Sequence, residues 1–235
     1  FHPDREQAFI EGANMEQEIL DACRRGSPGD VESLLRQWWS HSEGVESVSP
    51  SERFKQVHPF LLESSSSFLK PDCLDLQLSN FLRVDSGLEF IDREWSAEPA
   101  VDADLVRLRA LWYLARTLIT SGAPLPWHKE ATVESLAGMW VGLWREDTEG
   151  VDFDSFYRAE AALQAEVSGG TPEILKTALE IQGQISRKNV LAGQILGHSA
   201  VATDDLVAAL HAAMDEARHY QRSLENQLTE AKSYT

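Results

Sequence analysis

Apolar residues recur at intervals of three and four along most of this chain, which is the spacing of amphipathic helices. Helices are predicted over residues 15–26, where a glycine ends the pattern, and over residues 27–42. The widest apolar stripe covers residues 101–121 and predicts a central helix. Residues 132–144 and 152–170 continue the same pattern. Helices therefore dominate the predicted fold.

Strand-like alternation is convincing in one place, where NFLRVD and LEFID flank Ser86 and Gly87. A glycine in such a short connection accommodates the positive φ that hairpin turns require. We therefore predict a mainly α protein with one small β-hairpin.

The pattern of apolar and polar residues changes after Gly170. We therefore predict two parts, residues 1–170 and a helical extension over residues 171–235. From Thr203 to Ser233 the apolar positions repeat at the a and d spacing of a heptad. A coiled coil that joins two copies of the chain is one interpretation, and a single amphipathic helix packed on its own core is the other. The seam consists of Val207, Leu210, Met214, Ala217, Gln221, Leu224, Leu228 and Ala231.

Charge narrows the list of partners. The 38 acidic and 21 basic residues give a formal net charge of −17 over 235 residues, which opposes binding to nucleic acid or to anionic lipid. The two cysteines have no metal-ligand spacing, and no apolar run has the length of a membrane-spanning helix. We expect a cytoplasmic protein that is not embedded in a membrane. A first residue other than Met indicates a piece of a longer chain or a processed chain.

Three polar residues around the predicted hairpin form the candidate site. Asp75 and Asn80 are five residues apart, and Asp92 follows twelve residues after Asn80, across the hairpin. Phosphoryl transfer needs a carboxylate to orient the attacking hydroxyl and oxygen ligands to hold Mg²⁺ against the phosphates. Asp75, Asn80 and Asp92 are therefore candidates for a phosphate and metal site. The alternative is that all three only cap turns and strand ends, which Asp and Asn commonly do.

This Asp-x-x-x-x-Asn, hairpin and Asp arrangement resembles the C-terminal lobe of the protein kinase-like fold, in its aminoglycoside-phosphotransferase style. The segment AFIEGANMEQEI is similar to the hinge of such enzymes. The position two before the loop Asp, usually His in that fold, is Cys73 here, and Arg93 follows the metal Asp.

The resemblance to this fold implies that residues 1–170 form a kinase-like lobe. It also implies that Asp75 is the catalytic residue, that Asn80 and Asp92 are the metal ligands, and that the intact protein uses Mg²⁺ and ATP. We expect neither cofactor, and no activity, for this piece alone, because the glycine-rich loop and the lysine strand are not in it.

In the segments FIDREW, LVRLRALWYLARTLITSGAPLPW and TVESLAGM, taken in this order, the chain is also similar to the kinase-like modules fused to methyltransferases in bacterial surface-polysaccharide synthesis, the O-antigen chain-terminating methyltransferase-kinases. This resemblance implies part of a bacterial transferase that modifies a cell-surface glycan. It also implies partners among the glycan-synthesis proteins. Two alternatives stay open, which are a non-catalytic scaffold or dimerisation module and an accessory C-terminal domain of an S-adenosylmethionine-dependent methyltransferase.

Overall fold

Helices dominate the computed structural model, as the sequence predicts. The structure describes residues 11–43, 67–93, 96, 100–126, 131–144 and 150–190. Two short 3₁₀ turns, Pro71–Cys73 and Leu78–Asn80, precede the hairpin. The α-helices with defined bounds are α1 (Met15–Arg24), α2 (Pro28–Glu43), α3 (Ala103–Thr120), α4 (Val133–Val141), α5 (Phe153–Ser168) and α6 (Pro172–Gly183).

The predicted hairpin is present, and additional short strands accompany it. Its two-residue turn is Asp85 and Ser86, so that Gly87, with φ of 135°, opens the second strand instead of forming the turn. The shorter strands are too brief to give an alternating pattern in the sequence. The strands are β1 (Ala13–Asn14), β2 (Phe68–Leu69), β3 (Phe81–Val84), β4 (Gly87–Phe90) and β5 (Val101–Asp102). They form an antiparallel sheet in the order β1-β3-β4 and a separate antiparallel pair of β2 with β5.

Side chains that accept hydrogen bonds from the first turn fix several helix starts. The Asp102 carboxylate accepts from the Leu105 amide at 3.0 Å, so α3 begins after this residue and not at Val101. Thr132 and Ser135 form a reciprocal capping pair at α4. At the other end of α5, Gly169 has φ of 69°, the left-handed geometry that commonly ends a helix.

The core surrounds α3, which packs against α4 and α5, while α5 also packs against α6. Trp38, Trp112 and Trp140 are at most 1% exposed and act as core residues. The Trp38 indole donates to the backbone oxygen of Leu76 at 3.2 Å. This bond ties α2 to the loop that carries the candidate site.

The first compact unit of the chain runs to Lys188, whereas the sequence predicted a boundary at Gly170. The difference arises because α6 packs on α5 instead of starting an extension. Residues 189–235 form the second unit, and the predicted heptad seam within it lies outside the described residues. No helix among the described residues combines the length and the apolar character needed to cross a bilayer.

Candidate functional site

Asp75 and Asn80 are joined by hydrogen bonds within one loop. The Asn80 side-chain amide donates to the Asp75 backbone oxygen at 3.0 Å and to Asp75 Oδ2 at 2.9 Å. The 3₁₀ turn Leu78–Asn80 produces this proximity by folding the chain back just before β3 begins. The five-residue spacing in the sequence thus brings the two side chains together.

Asp92 follows the other strand of the hairpin at the same end. The Ile91 amide donates to the Asn80 backbone oxygen at 2.9 Å, which continues the hairpin one step beyond the Phe81–Phe90 pair. Asp92, the next residue, has φ of 59°. This left-handed geometry costs a residue with a side chain on the order of 1 kcal/mol, although Asp tolerates it better than most, and such strain is often found at functional sites. Asn80 and Asp92 therefore flank one end of the hairpin.

Arg109, from the middle of α3, binds Asp75 from the other side. Its Nη1 lies 2.7 Å from Asp75 Oδ1, while its Nε lies 3.0 Å from Glu160 Oε2 and 3.1 Å from Glu160 Oε1. Burial by itself would lower the pKa of Arg109, but the charges of Glu160 and Asp75 outweigh burial and raise that pKa. Both carboxylate oxygens of Asp75 are consequently occupied, one by Arg109 and one by Asn80.

Glu160, on α5, is fully buried and is the anchor of this arginine. The Tyr113 hydroxyl donates to Glu160 Oε1 at 2.8 Å, and the Gln164 amide donates to the same oxygen at 2.9 Å. Burial first, and the Glu160 charge second, raise the pKa of Tyr113, which keeps its hydroxyl protonated as a donor. The buried charge is therefore paired and hydrogen-bonded, as a stable interior requires.

The sequence did not single out Arg109 or Glu160 as members of this site. A signal was present, because Arg109 interrupts the widest apolar stripe in the chain and Glu160 lies between alanines on another amphipathic helix. A charged residue in an apolar face needs an opposite charge nearby. The partner of each residue comes from a different helix, and one sequence alone does not show which.

Two groups of this site carry oxygens that suit a cation, which are Asn80 Oδ1, an acceptor of the Ser79 hydroxyl at 3.5 Å, and the Asp92 carboxylate. Both residues are partly exposed. Within the described ranges, no three His, Cys, Asp or Glu side chains converge as a metal centre. A two-residue set still fits Mg²⁺, which typically keeps several waters and is held by one or two carboxylates together with substrate phosphates.

Cys73 and Arg93, the positions that depart from the kinase pattern, are both fixed by neighbours. Burial raises the pKa of the Cys73 thiol to about 11, so it is protonated at neutral pH and is a poor nucleophile or metal ligand. The Arg93 guanidinium lies 4.8 Å from the centre of the Phe90 ring, and its Nη1 is 3.3 Å from Asp72 Oδ2. A positive charge thus directly follows Asp92 in the chain.

An open groove of about 790 Å³ lies between α2 and the tip of the hairpin. Its lining includes the charged residues Arg36, Arg83 and Asp85. The groove adjoins the Val84–Gly87 pair, three residues along each strand from the Phe81–Phe90 pair beside Asn80. It is therefore separate from the candidate site.

Comparison of the chain with protein-family models, with curated proteins and with solved structures returns no match. The kinase-like interpretation accordingly rests on the residues and geometry of this chain alone.

Proposed function

We propose that this chain is a kinase-like phosphotransferase lobe of a bacterial protein that modifies a cell-surface glycan. In this proposal Asp75 orients the acceptor hydroxyl, and Asn80 and Asp92 hold the Mg²⁺ that accompanies the nucleotide phosphates in the intact protein. The bound Mg²⁺ would neutralise charge on the phosphates. A cytoplasmic location belongs to the same proposal, since a reducing compartment suits the two buried free thiols, Cys23 and Cys73.

The observation that supports the proposal is that Asn80 is hydrogen-bonded to Asp75 and to the residue before Asp92. Its side chain donates to Asp75, and its backbone oxygen accepts from Ile91. An orienting carboxylate and oxygen ligands for the metal are two of the components that phosphoryl transfer requires. The positive φ of Asp92 adds to the support, because backbone strain is retained where the structure gains from it.

A non-catalytic scaffold is the second candidate function, and a specific contact favours it. Arg109 and Asn80 occupy both oxygens of Asp75, so a hydroxyl group would have to compete with a charge-assisted bond of 2.7 Å. A lobe of this kind would keep the hairpin as a structural feature without binding a cation. Cation binding therefore separates the two functions.

Mn²⁺ serves as the probe, because it takes the same oxygen ligands as Mg²⁺ and can be followed by electron paramagnetic resonance. The whole 235-residue chain is titrated beside Asp92→Asn and Asp85→Asn. Asp85 is an exposed turn residue on the same hairpin, so its variant removes the same charge away from the site. At the high Mn²⁺ concentrations of the titration we expect weak binding, well below what would retain Mg²⁺ as a cofactor in this piece. It should weaken at least tenfold in Asp92→Asn and less than twofold in Asp85→Asn. Equal binding by all three proteins would favour the scaffold.

We also propose that the chain forms a homo-oligomer through the seam from Thr203 to Ser233, and that glycan-synthesis proteins are among its partners. Support comes from the heptad spacing alone, because the seam lies outside the described residues. Light scattering at high micromolar concentration should give the mass of a dimer. In the double variant Leu210→Asp/Leu224→Asp the mass should fall to that of a monomer. A wild-type monomer would contradict the proposal.

A further inference from the structure

Arg109 lies between two carboxylates that come from different parts of the chain. Asp75 belongs to the loop before the hairpin and Glu160 to α5, and the arginine reaches both from α3. The side chains of Arg109 and Asp75 are 16% and 22% exposed, and that of Glu160 is fully buried. Charges with so little solvent around them interact over longer distances than surface charges do.

We propose that Arg109 sets the cation affinity of the Asn80–Asp92 site by neutralising Asp75. It is a positioning residue, since it acts through Asp75 and has no role as a ligand. With the Asp75 charge cancelled, the Asp92 carboxylate is the group of this site that attracts the cation. The site then favours a divalent cation that arrives already bound to phosphate over the free cation. This inference rests on the proposed function, since it concerns the same metal site.

The contact geometry explains why an arginine occupies this position. A guanidinium offers several N–H groups in a planar fork, so Nε can serve Glu160 while Nη1 serves Asp75. Asn80, which bonds the other oxygen of Asp75, is itself a proposed ligand of the cation. One side chain, that of Asn80, therefore links the arginine–carboxylate pair to the proposed ligands of the cation.

Charge substitutions at the two ends of this contact should act in opposite directions. Arg109→Gln removes a positive charge and leaves Asp75 uncompensated, so Mn²⁺ should bind about tenfold more tightly, as for a charge several ångströms away in a partly buried setting. Glu160→Gln keeps the shape but leaves the arginine charge less compensated, so Mn²⁺ should bind a few-fold more weakly. A purely structural role for Arg109 would weaken binding in both variants.

Arg109→Lys tests the same inference without a change of charge. We expect its Mn²⁺ affinity to stay within about threefold of wild type, even if its stability falls. If Arg109→Gln does not fold, as judged by circular dichroism, Arg109→Lys and Glu160→Gln decide the question together. Arg36→Gln is the matched control, because Arg36 forms an exposed ion pair with Glu32 on α2 and its loss should leave the affinity unchanged.

The outcomes separate this inference from the proposed function. Suppose that Mn²⁺ binding depends on Asp92 but is weaker than wild type, or equal to wild type, in Arg109→Gln. That result would overturn this inference and leave the proposed function standing. Where Arg109→Gln does not fold, a clear loss of affinity in Arg109→Lys, or unchanged affinity in Glu160→Gln, would do the same. Binding that does not depend on Asp92 would overturn the proposed function and this inference with it.

Discussion

The side-chain amide of Asn80 bridges the backbone oxygen and the carboxylate of Asp75, at 3.0 and 2.9 Å. Replacing Asn80 with Ala removes both bonds and leaves a partly buried carbonyl without this donor. We expect a loss of about 1–2 kcal/mol in the free energy of unfolding, measured with urea. Ser86→Ala, in the exposed turn of the same hairpin, should change that free energy by less than about 0.5 kcal/mol. Equal effects in the two variants would mean that the bridge contributes nothing to stability.

Gly183, at the end of α6, has no space for a side chain. A Cβ there would overlap the Tyr157 hydroxyl and lie 2.8 Å from Glu134 Oε1. These two groups already share a hydrogen bond of 2.7 Å, so a methyl group would have to separate them. We expect Gly183→Ala to lower the free energy of unfolding by about 1–3 kcal/mol despite the better helix propensity of Ala.

Gly29 supplies the matched control for that substitution. It lies in the first turn of α2, and a Cβ at this position would meet nothing within 4 Å. Gly29→Ala should leave the free energy of unfolding unchanged or raise it slightly, with both variants measured by thermal or urea denaturation. A Gly183→Ala protein as stable as Gly29→Ala would show that the Tyr157 hydroxyl can move aside at no cost.

Asn14 makes two different bonds that can be tested separately. Its Oδ1 accepts from the Gln17 amide at 3.2 Å and caps α1, while its Nδ2 donates to the Ser79 backbone oxygen at 2.6 Å. Asn14→Asp keeps a capping oxygen but has no donor for Ser79, and Asn14→Ala loses both bonds. We expect Ala to cost about 1 kcal/mol more than Asp in the free energy of unfolding. A larger loss with Asp than with Ala would contradict this division.

His41 should make the folded state less stable in mild acid. Burial first, and the Arg93 charge second, lower its pKa in the folded state, and Glu89 opposes them only in part. Below about pH 6.5, the usual pKa of an unfolded histidine, the unfolded chain binds the proton more readily than the folded one. This contribution to stability is therefore present above that pH and is lost as the pH falls through the lowered pKa. His41→Gln should make the free energy of unfolding depend less on pH between pH 7 and 5. An NMR titration that gives His41 a pKa above 6.5 in the folded protein would refute the argument.

The sequence predicted the elements whose patterns are local. Periodic apolar residues identified the central helix α3, and Gly87 identified the hairpin, although the turn itself lies one residue earlier. Contacts between distant segments were not predictable in this way. The pairing of β2 with β5 joins residues more than thirty positions apart through only two residues each, which leaves no alternation to detect.

The same distinction between local and distant contacts applies to the candidate site. Asp75 and Asn80 are close in sequence and bonded in space, so their spacing was informative. Arg109 and Glu160 come from two helices that meet only in the folded protein, and a single sequence does not show which charge compensates which. Whether Asp92 coordinates a cation stays a prediction, which the Mn²⁺ titration addresses.

Gly12 makes β1 and β3 a pair that cannot slip. A Cβ at this position would lie 2.7 Å from the Arg83 backbone oxygen. The two backbone segments therefore approach more closely than a residue with a side chain permits. Sliding β1 by one residue would bring Glu11 or Ala13 to this point of contact. The register between β1 and β3 is thereby fixed, and with it the position of the start of α1 relative to the hairpin. A substitution at Gly12 would therefore shift β1 relative to β3. The shift would reach Asn80, because β3 begins directly after that residue.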